Sequence, residues 1–149
     1  MAKIRVTKSF TFEMAHALWN YDGPCRNIHG HSYQLYVTII GNTNSDLSNT
    51  KLGMVMDFSD LKKIVGESVV DVFDHSVVIS SRASQPEIQR VEQMFDKFYV
   101  VDYQPTCENL VTDMAARITP ALPEGISLFS LKLAETATSY AEWFASENL

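Results

Sequence analysis

Three of the chain's four histidines, His16, His29 and His31, fall at the ends of two segments that read as strands. His29 and His31 are two apart, so in an extended chain their side chains project to the same side. His31 shares its parity with Tyr33, Leu35 and Val37, and His16 shares its parity with Phe10, Phe12 and Met14. All three imidazoles are therefore expected on the side the apolar residues face. A single histidine on such a face is ordinarily a hydrogen-bonded core residue. Three that converge are different, because buried imidazoles without partners are costly. Three neutral imidazoles and an open position make the ligand set of a catalytic zinc site. Zn2+ is thus the expected cofactor, and Gly30 reads as giving the backbone close approach to it.

Other residues could act around such an ion. Cys25 lies in the loop that leads into the His29-Gly30-His31 strand, within reach of anything the metal holds. It reads as a reactive thiol, as a fourth ligand closing a structural site, or as an inert buried thiol. Asp74-His75 is a carboxylate beside an imidazole; alone, the dipeptide is equally a turn. Glu135 shares parity with Phe129, Leu131 and Leu133, and a carboxylate on an apolar face needs a partner, either a cross-strand Lys or Arg or a bound ligand. Thr106 and Glu108 open a helix, where Thr106 is explained as its cap. Cys107 reads as packing. No Gly-rich phosphate loop is present. Lys3, Arg5, Lys8, Arg26, Lys51 and Lys132 could meet an anion, with nothing in their spacing to choose among them.

The elements that must position these groups follow from periodicity. Alternation predicts strands over 4–18 and 31–39, with a loop at 20–24 and a polar loop over 42–53. Asp57 caps a predicted helix reaching Phe73, with Phe58, Leu61, Val65, Val69 and Val72 as its apolar stripe. Ser84-Gln85-Pro86-Glu87 is a capping box for a helix to Phe95. A short strand over 98–101 follows, then a helix capped by Thr106 and stopped by Pro120, then strands over 127–137 and 140–146. The order β-β-α-(α-β)-α-β-β implies an α+β fold with a mostly antiparallel sheet and helices on one face. Its two sheet edges must be covered, and pairing between subunits would do so.

A chain of 149 residues suits one domain spanning 1–149. Its net charge of −6 argues against nucleic-acid binding, which needs a surplus of Lys and Arg. No apolar run approaches the roughly 20 residues of a membrane span. The N-terminus lacks the apolar stretch and cleavage site of a signal peptide, so a cytoplasmic location is expected. Two cysteines make a disulfide framework unexpected.

In order along the chain, several segments resemble one family. They are Phe12-Glu13-Met14-Ala15-His16, Cys25-Arg26-Asn27-Ile28-His29-Gly30-His31, Gly53-Met54-Val55-Met56-Asp57-Phe58, Asp74-His75, Pro105-Thr106-Cys107-Glu108-Asn109-Leu110 and Glu135-Thr136. Together they resemble the 6-pyruvoyltetrahydropterin and 6-carboxytetrahydropterin synthase superfamily. The resemblance implies a tunnelling fold (T-fold): a four-stranded antiparallel sheet with helices on one face, whose sheets join into a barrel on oligomerisation. It implies a homo-oligomer, hexamer or tetramer, with active sites at subunit interfaces and 7,8-dihydroneopterin triphosphate as substrate. By the same resemblance Cys25 is the catalytic base, and His75, oriented by Asp74, is the general acid/base. Glu135 anchors the pterin, and Thr106 and Glu108 contact it. The spacing of Cys25 and His29, with three residues between them, resembles the 6-carboxytetrahydropterin synthases of the queuosine pathway, whereas the animal-type 6-pyruvoyl enzymes have a longer gap. A folate-pathway relative places glutamate near the His-Gly-His; here the position before His29 is Ile28, which disfavours that variant. The stretch from Val77 to Tyr99 matches none of the family's motifs.

Overall fold

The computed structural model describes residues 2–149. Strands β1 (Lys3–His16) and β2 (His29–Asn42) pair antiparallel along their whole length, from Lys3 opposite Asn42 to His16 opposite His29. The alternation seen in the sequence is the reason. Tyr33, Leu35, Val37 and Ile39 are fully buried, as are Phe12 and Met14 to within 2%, while the intervening residues face the other way.

The chain then forms α1 (Phe58–Val65), a π-helical turn (Gly66–Val70), α2 (Asp71–Phe73), β3 (Ser76–Ser80), α3 (Gln85–Met94) and β4 (Phe98–Val101). It ends with α4 (Cys107–Ile118), β5 (Ile126–Ala134), β6 (Tyr140–Phe144) and the short α5 (Ala145–Asn148). Asp57 caps α1 by accepting from the Ser59 amide at 2.8 Å, and Ser84 with Glu87 forms the expected capping box of α3. The helix anticipated over 57–73 is interrupted at Gly66 by the wide π turn. Of the expected stripe Leu61, Val65 and Val69 are fully buried, while Phe58 is half exposed and Phe73, rather than Val72, is the fully buried residue after the π turn.

The sheet has six strands, in the order β4-β3-β1-β2-β5-β6. β1, β2, β5 and β6 are antiparallel neighbours, as the alternating pattern suggested. The expected four-stranded sheet is extended by β3 and β4, which run parallel to β1 and to each other. All five residues of β3, Ser-Val-Val-Ile-Ser, are buried. A strand covered on both faces shows no alternation, so the period of two that revealed the others was absent here.

That double cover also corrects the placement of the helices. Val78 joins the main core with α1 and α4 residues, whereas Val77 and Ile79 pack with Val91 of α3 and with Ala15. These are opposite parities, so α3 lies on the face away from α1 and α4. The segment with no family motif is thus a β-α-β addition that covers the far face beside β1. Among the described residues no helix is long and apolar enough to cross a membrane.

Phe73 ties the π turn to the sheet; it is fully buried, with the Arg117 guanidinium 5.1 Å from its ring centre. Phe73→Ala should lower the unfolding free energy by about 3–5 kcal/mol, read by chemical denaturation.

Candidate active site

The register sets His16 directly opposite His29, with His31 two residues further along the same face. The rings sit edge to face or tilted, with centroids 4.6 to 5.2 Å apart. His16 is 2% exposed. Its Nδ1 lies 2.7 Å from the carbonyl oxygen of Pro105, and the Nδ1 of His29 lies 2.7 Å from that of Asn27. A carbonyl only accepts, so in both rings Nδ1 carries the proton and donates, leaving Nε2 as a bare lone pair in the neutral imidazole.

Those two Nε2 atoms are 3.1 Å apart. The carboxylate of Glu135 joins them, with Oε1 3.3 Å from His16 Nε2 and 2.8 Å from His31 Nε2. The second approach has the distance of an ion pair without the alignment of a hydrogen bond, and His31 Nε2 is a buried atom with no hydrogen-bond partner. Several acceptors thus face one another, and a cation between them removes the conflict. One ligand atom from each of His16, His29, His31 and Glu135 lies within 4.8 Å of the others. Imidazole nitrogens with one carboxylate oxygen suit zinc or a neighbouring divalent transition metal. The residues therefore fit a metal ion.

The electrostatics agree. Burial holds His31 below the usual histidine range, with His16 and His29 adding to the effect against the pull of Glu135. A neutral ring is the form that coordinates. When the His16 ring is doubly protonated, a hydrogen bond from its Nε2–H holds the Glu135 carboxyl below the usual carboxylate range. Tyr33 lies under the cluster, its ring 5.5 Å from His31 and 6.2 Å from His16, and its buried hydroxyl has no hydrogen-bond partner.

Gly30 does not play the part expected of it. It faces away from the cluster, and an added Cβ would meet the Met14 carbonyl oxygen at 3.6 Å, an ordinary contact. Glu135 is the first residue after β5 rather than part of the strand, because the ladder ends at Ala134 and the Glu135 amide donates to the Ser139 carbonyl in the turn. Its partners are the histidines, not a cross-strand Lys or Arg.

Cys25 sits in a 3-10 turn, Pro24–Arg26, as a half-buried free thiol. The loop carrying it is pinned from two sides. Leu18 donates its amide to the Cys25 carbonyl at 2.9 Å, and Gln104 both accepts from the Trp19 amide and donates to the Trp19 carbonyl. Cys107 packs as expected. It is buried, its thiol donates to the Leu133 carbonyl, and burial pushes it up to about 11.

Asp74 and His75 form a pair at the corner between α2 and β3, with Asp74 Oδ2 3.0 Å from His75 Nδ1. Asp74 Oδ1 accepts from the Glu13 amide at 2.9 Å, and this bond above all holds its carboxyl below the usual range. His75 has φ of +57°, a left-handed conformation that costs a non-glycine residue about 1 kcal/mol or more. Its own amide donates to the Glu13 carbonyl at 2.6 Å. The His75 ring is 77% exposed. It lines a cavity of about 350 Å³ with Glu13, His31 and Ser32. Among the described residues no hydrogen bond or ion pair joins this pair to Cys25. Thr106 caps α4 by accepting from Asn109, and Glu108 is exposed in its first turn.

The sequence reading missed the Pro105 carbonyl and the Gln104 clamp. Backbone acceptors carry no side-chain signal, and a clamp 85 residues from its partner has no local pattern.

Comparison with known proteins decides the family. The sequence profile described as 6-pyruvoyl tetrahydropterin synthase matches residues 5–146. The chain belongs to that family. It is 35% identical over 142 residues to the 6-carboxy-5,6,7,8-tetrahydropterin synthase of Haemophilus influenzae, covering 93% of this chain and 97% of that protein. It is 30% identical over 141 residues to the protein of the same name from Rickettsia felis, covering 93% and 99%. The solved structure of Caenorhabditis elegans 6-pyruvoyl tetrahydropterin synthase superposes with a TM-score of 0.71 at 22% identity, covering 97% of each chain. This family member is a pterin-synthase enzyme, and its histidine–glutamate group can bind a metal.

Replacing His16, His29 or His31 singly by Ala should abolish stoichiometric metal in the purified protein, measured by elemental analysis, while Cys25→Ala should retain it.

Proposed function

We propose that this enzyme is zinc-dependent and converts 7,8-dihydroneopterin triphosphate to 6-carboxy-5,6,7,8-tetrahydropterin, releasing acetaldehyde and triphosphate. One observation carries the reading: three residues separate Cys25 from His29, whose Nε2 meets that of His16 at 3.1 Å. This places a free thiol in the loop that enters the metal-ligand strand. The spacing is the one resembling the 6-carboxy enzymes, and the Haemophilus and Rickettsia relatives carry that name.

His16, His29 and His31 would hold the ion, which supplies a Lewis acid that stabilises negative charge developing on the substrate's side chain. The remaining steps belong to the chain's own groups. Cys25, as thiolate, takes a proton from the side-chain carbon of the substrate. His75 moves protons on and off the reacting oxygens, with Asp74 fixing its tautomer by the 3.0 Å contact to Nδ1. Glu135 accepts the 2-amino and N3–H donors of the pterin, a planar two-donor edge that a carboxylate matches. Thr106 and Glu108, at the start of α4, complete the pterin site.

Within one chain Cys25 and the Asp74–His75 pair do not touch. A homo-oligomer, hexamer or tetramer, in which a second copy's sheet joins this one, would bring Cys25 of one subunit to the pair of another. The sheet ends in the edge strands β4 and β6, and an edge is where a second copy's strand can pair. The single domain spans 1–149, and the chain acts in the cytoplasm on a small molecule.

Incubating the zinc-loaded protein with 7,8-dihydroneopterin triphosphate should give acetaldehyde and a 6-carboxy pterin by mass spectrometry. A 6-pyruvoyl pterin would assign triphosphate elimination instead, and no turnover would leave a metal-stabilised pterin-binding module. Cys25→Ala should lower kcat by about 10²–10⁴-fold.

A further inference from the structure

Glu135 is asked to do two things that compete for the orientation of one carboxylate. Its Oε1 lies 2.8 Å from His31 Nε2 and 3.3 Å from His16 Nε2, inside the group of atoms that would surround an ion. With the three imidazoles it makes a closed set of three nitrogens and one oxygen, the usual four-coordinate complement of zinc. Yet accepting two parallel N–H bonds from a pterin edge uses both carboxylate oxygens in the plane of the ring.

The two kinds of ligand are held differently. His16 and His29 are each braced from behind by an Nδ1–H bond to a backbone carbonyl. Among the described residues no hydrogen bond from outside the cluster reaches the Glu135 carboxylate. Glu135 also stands just beyond the end of β5, in the turn to β6, with its side chain 22% exposed, whereas His16 is at 2%. His31, 18% exposed, has no such brace either among the described residues, but all three histidines are held in the paired strands β1 and β2, whereas Glu135 stands outside β5.

We propose that Glu135 is an exchangeable fourth ligand: it closes the metal site in the resting enzyme and leaves the ion to take the 2-amino and N3–H edge of the pterin. The proposal rests on the pterin reading above. Its consequence is selectivity at the metal. A molecule that lacks the two-donor edge meets a closed ion, and one that carries it opens a coordination position by binding.

The test uses the protein loaded with Co2+, whose visible absorption reports its ligand set. The probe is pterin without a side chain at C6, which has the two-donor edge; lumazine, with oxygen in place of the 2-amino group, is the control. The wild-type spectrum should shift with pterin and not with lumazine. Glu135→Ala, with no ligand added, should show an altered spectrum, no further shift with pterin, and metal affinity at least about tenfold weaker by chelator competition. Glu135→Gln, nearly isosteric, should behave similarly, and thermal unfolding should show both variants folded. If Glu135→Ala keeps the wild-type spectrum and affinity, Glu135 is not a ligand and the proposal falls. If the variant weakens metal but pterin leaves the wild-type spectrum unchanged, the ligand is fixed and the exchange is overturned. Since the readout is absorption rather than turnover, failure of the product assay would not produce either result.

Discussion

Everything at the site depends on the antiparallel register of the first two strands. With Lys3 opposite Asn42, His16 is brought opposite His29 and Met14 opposite His31. A slip of one residue would turn one strand's imidazoles away from the other's, because the side-chain period is two. The register is secured well away from the histidines. Phe12, Tyr33, Leu35, Val37 and Ile39 are all buried on the helix side, so any slip would also expose apolar side chains worth roughly 1.5–3 kcal/mol each. Core packing thereby holds a cluster of mutually repelling acceptors in place, whose conflict a metal ion would relieve.

The Asp74–His75 pair is anchored to the same strand from the other direction. Both backbone groups of Glu13 are committed, the amide to Asp74 Oδ1 and the carbonyl to the His75 amide. The Lys97 ammonium donates to the carbonyls of Asp71 and Asp74. These contacts fix the corner before β3, where His75 is strained. Backbone strain of this kind persists only where surrounding structure over-determines it, and it gathers at functional positions. β3 itself enters the sheet parallel to the end of β1, so the corner and the histidine cluster share a strand end.

Much of this was legible in the sequence. Where strands are covered on one face, alternation revealed β1, β2, β5 and β6, and shared parity placed His16, His29 and His31 together. Capping chemistry located the starts of α1, α3 and α4 because the signals at Asp57, Ser84 and Thr106 are local. What escaped has physical reasons. β3 is buried on both faces and so has no period. The face chosen by α3 depends on which residues of β1 it meets, Ala15 among them, and that is a long-range matter. Glu135 had the right parity but not a readable partner, since its histidines lie on other strands. Gly30 was given a role on its type alone, and its orientation removes it.

The left-handed backbone of His75 has a bearing on which replacements are informative. Histidine is itself among the residue types enriched in the left-handed region, so alanine, which is less tolerant of φ near +57°, mixes a local conformational penalty with loss of the imidazole. Asparagine tolerates that region far better and has no titrating ring. Position 75 should therefore admit a narrow repertoire even in a protein relieved of catalysis, and tolerance there reports backbone geometry before it reports chemistry.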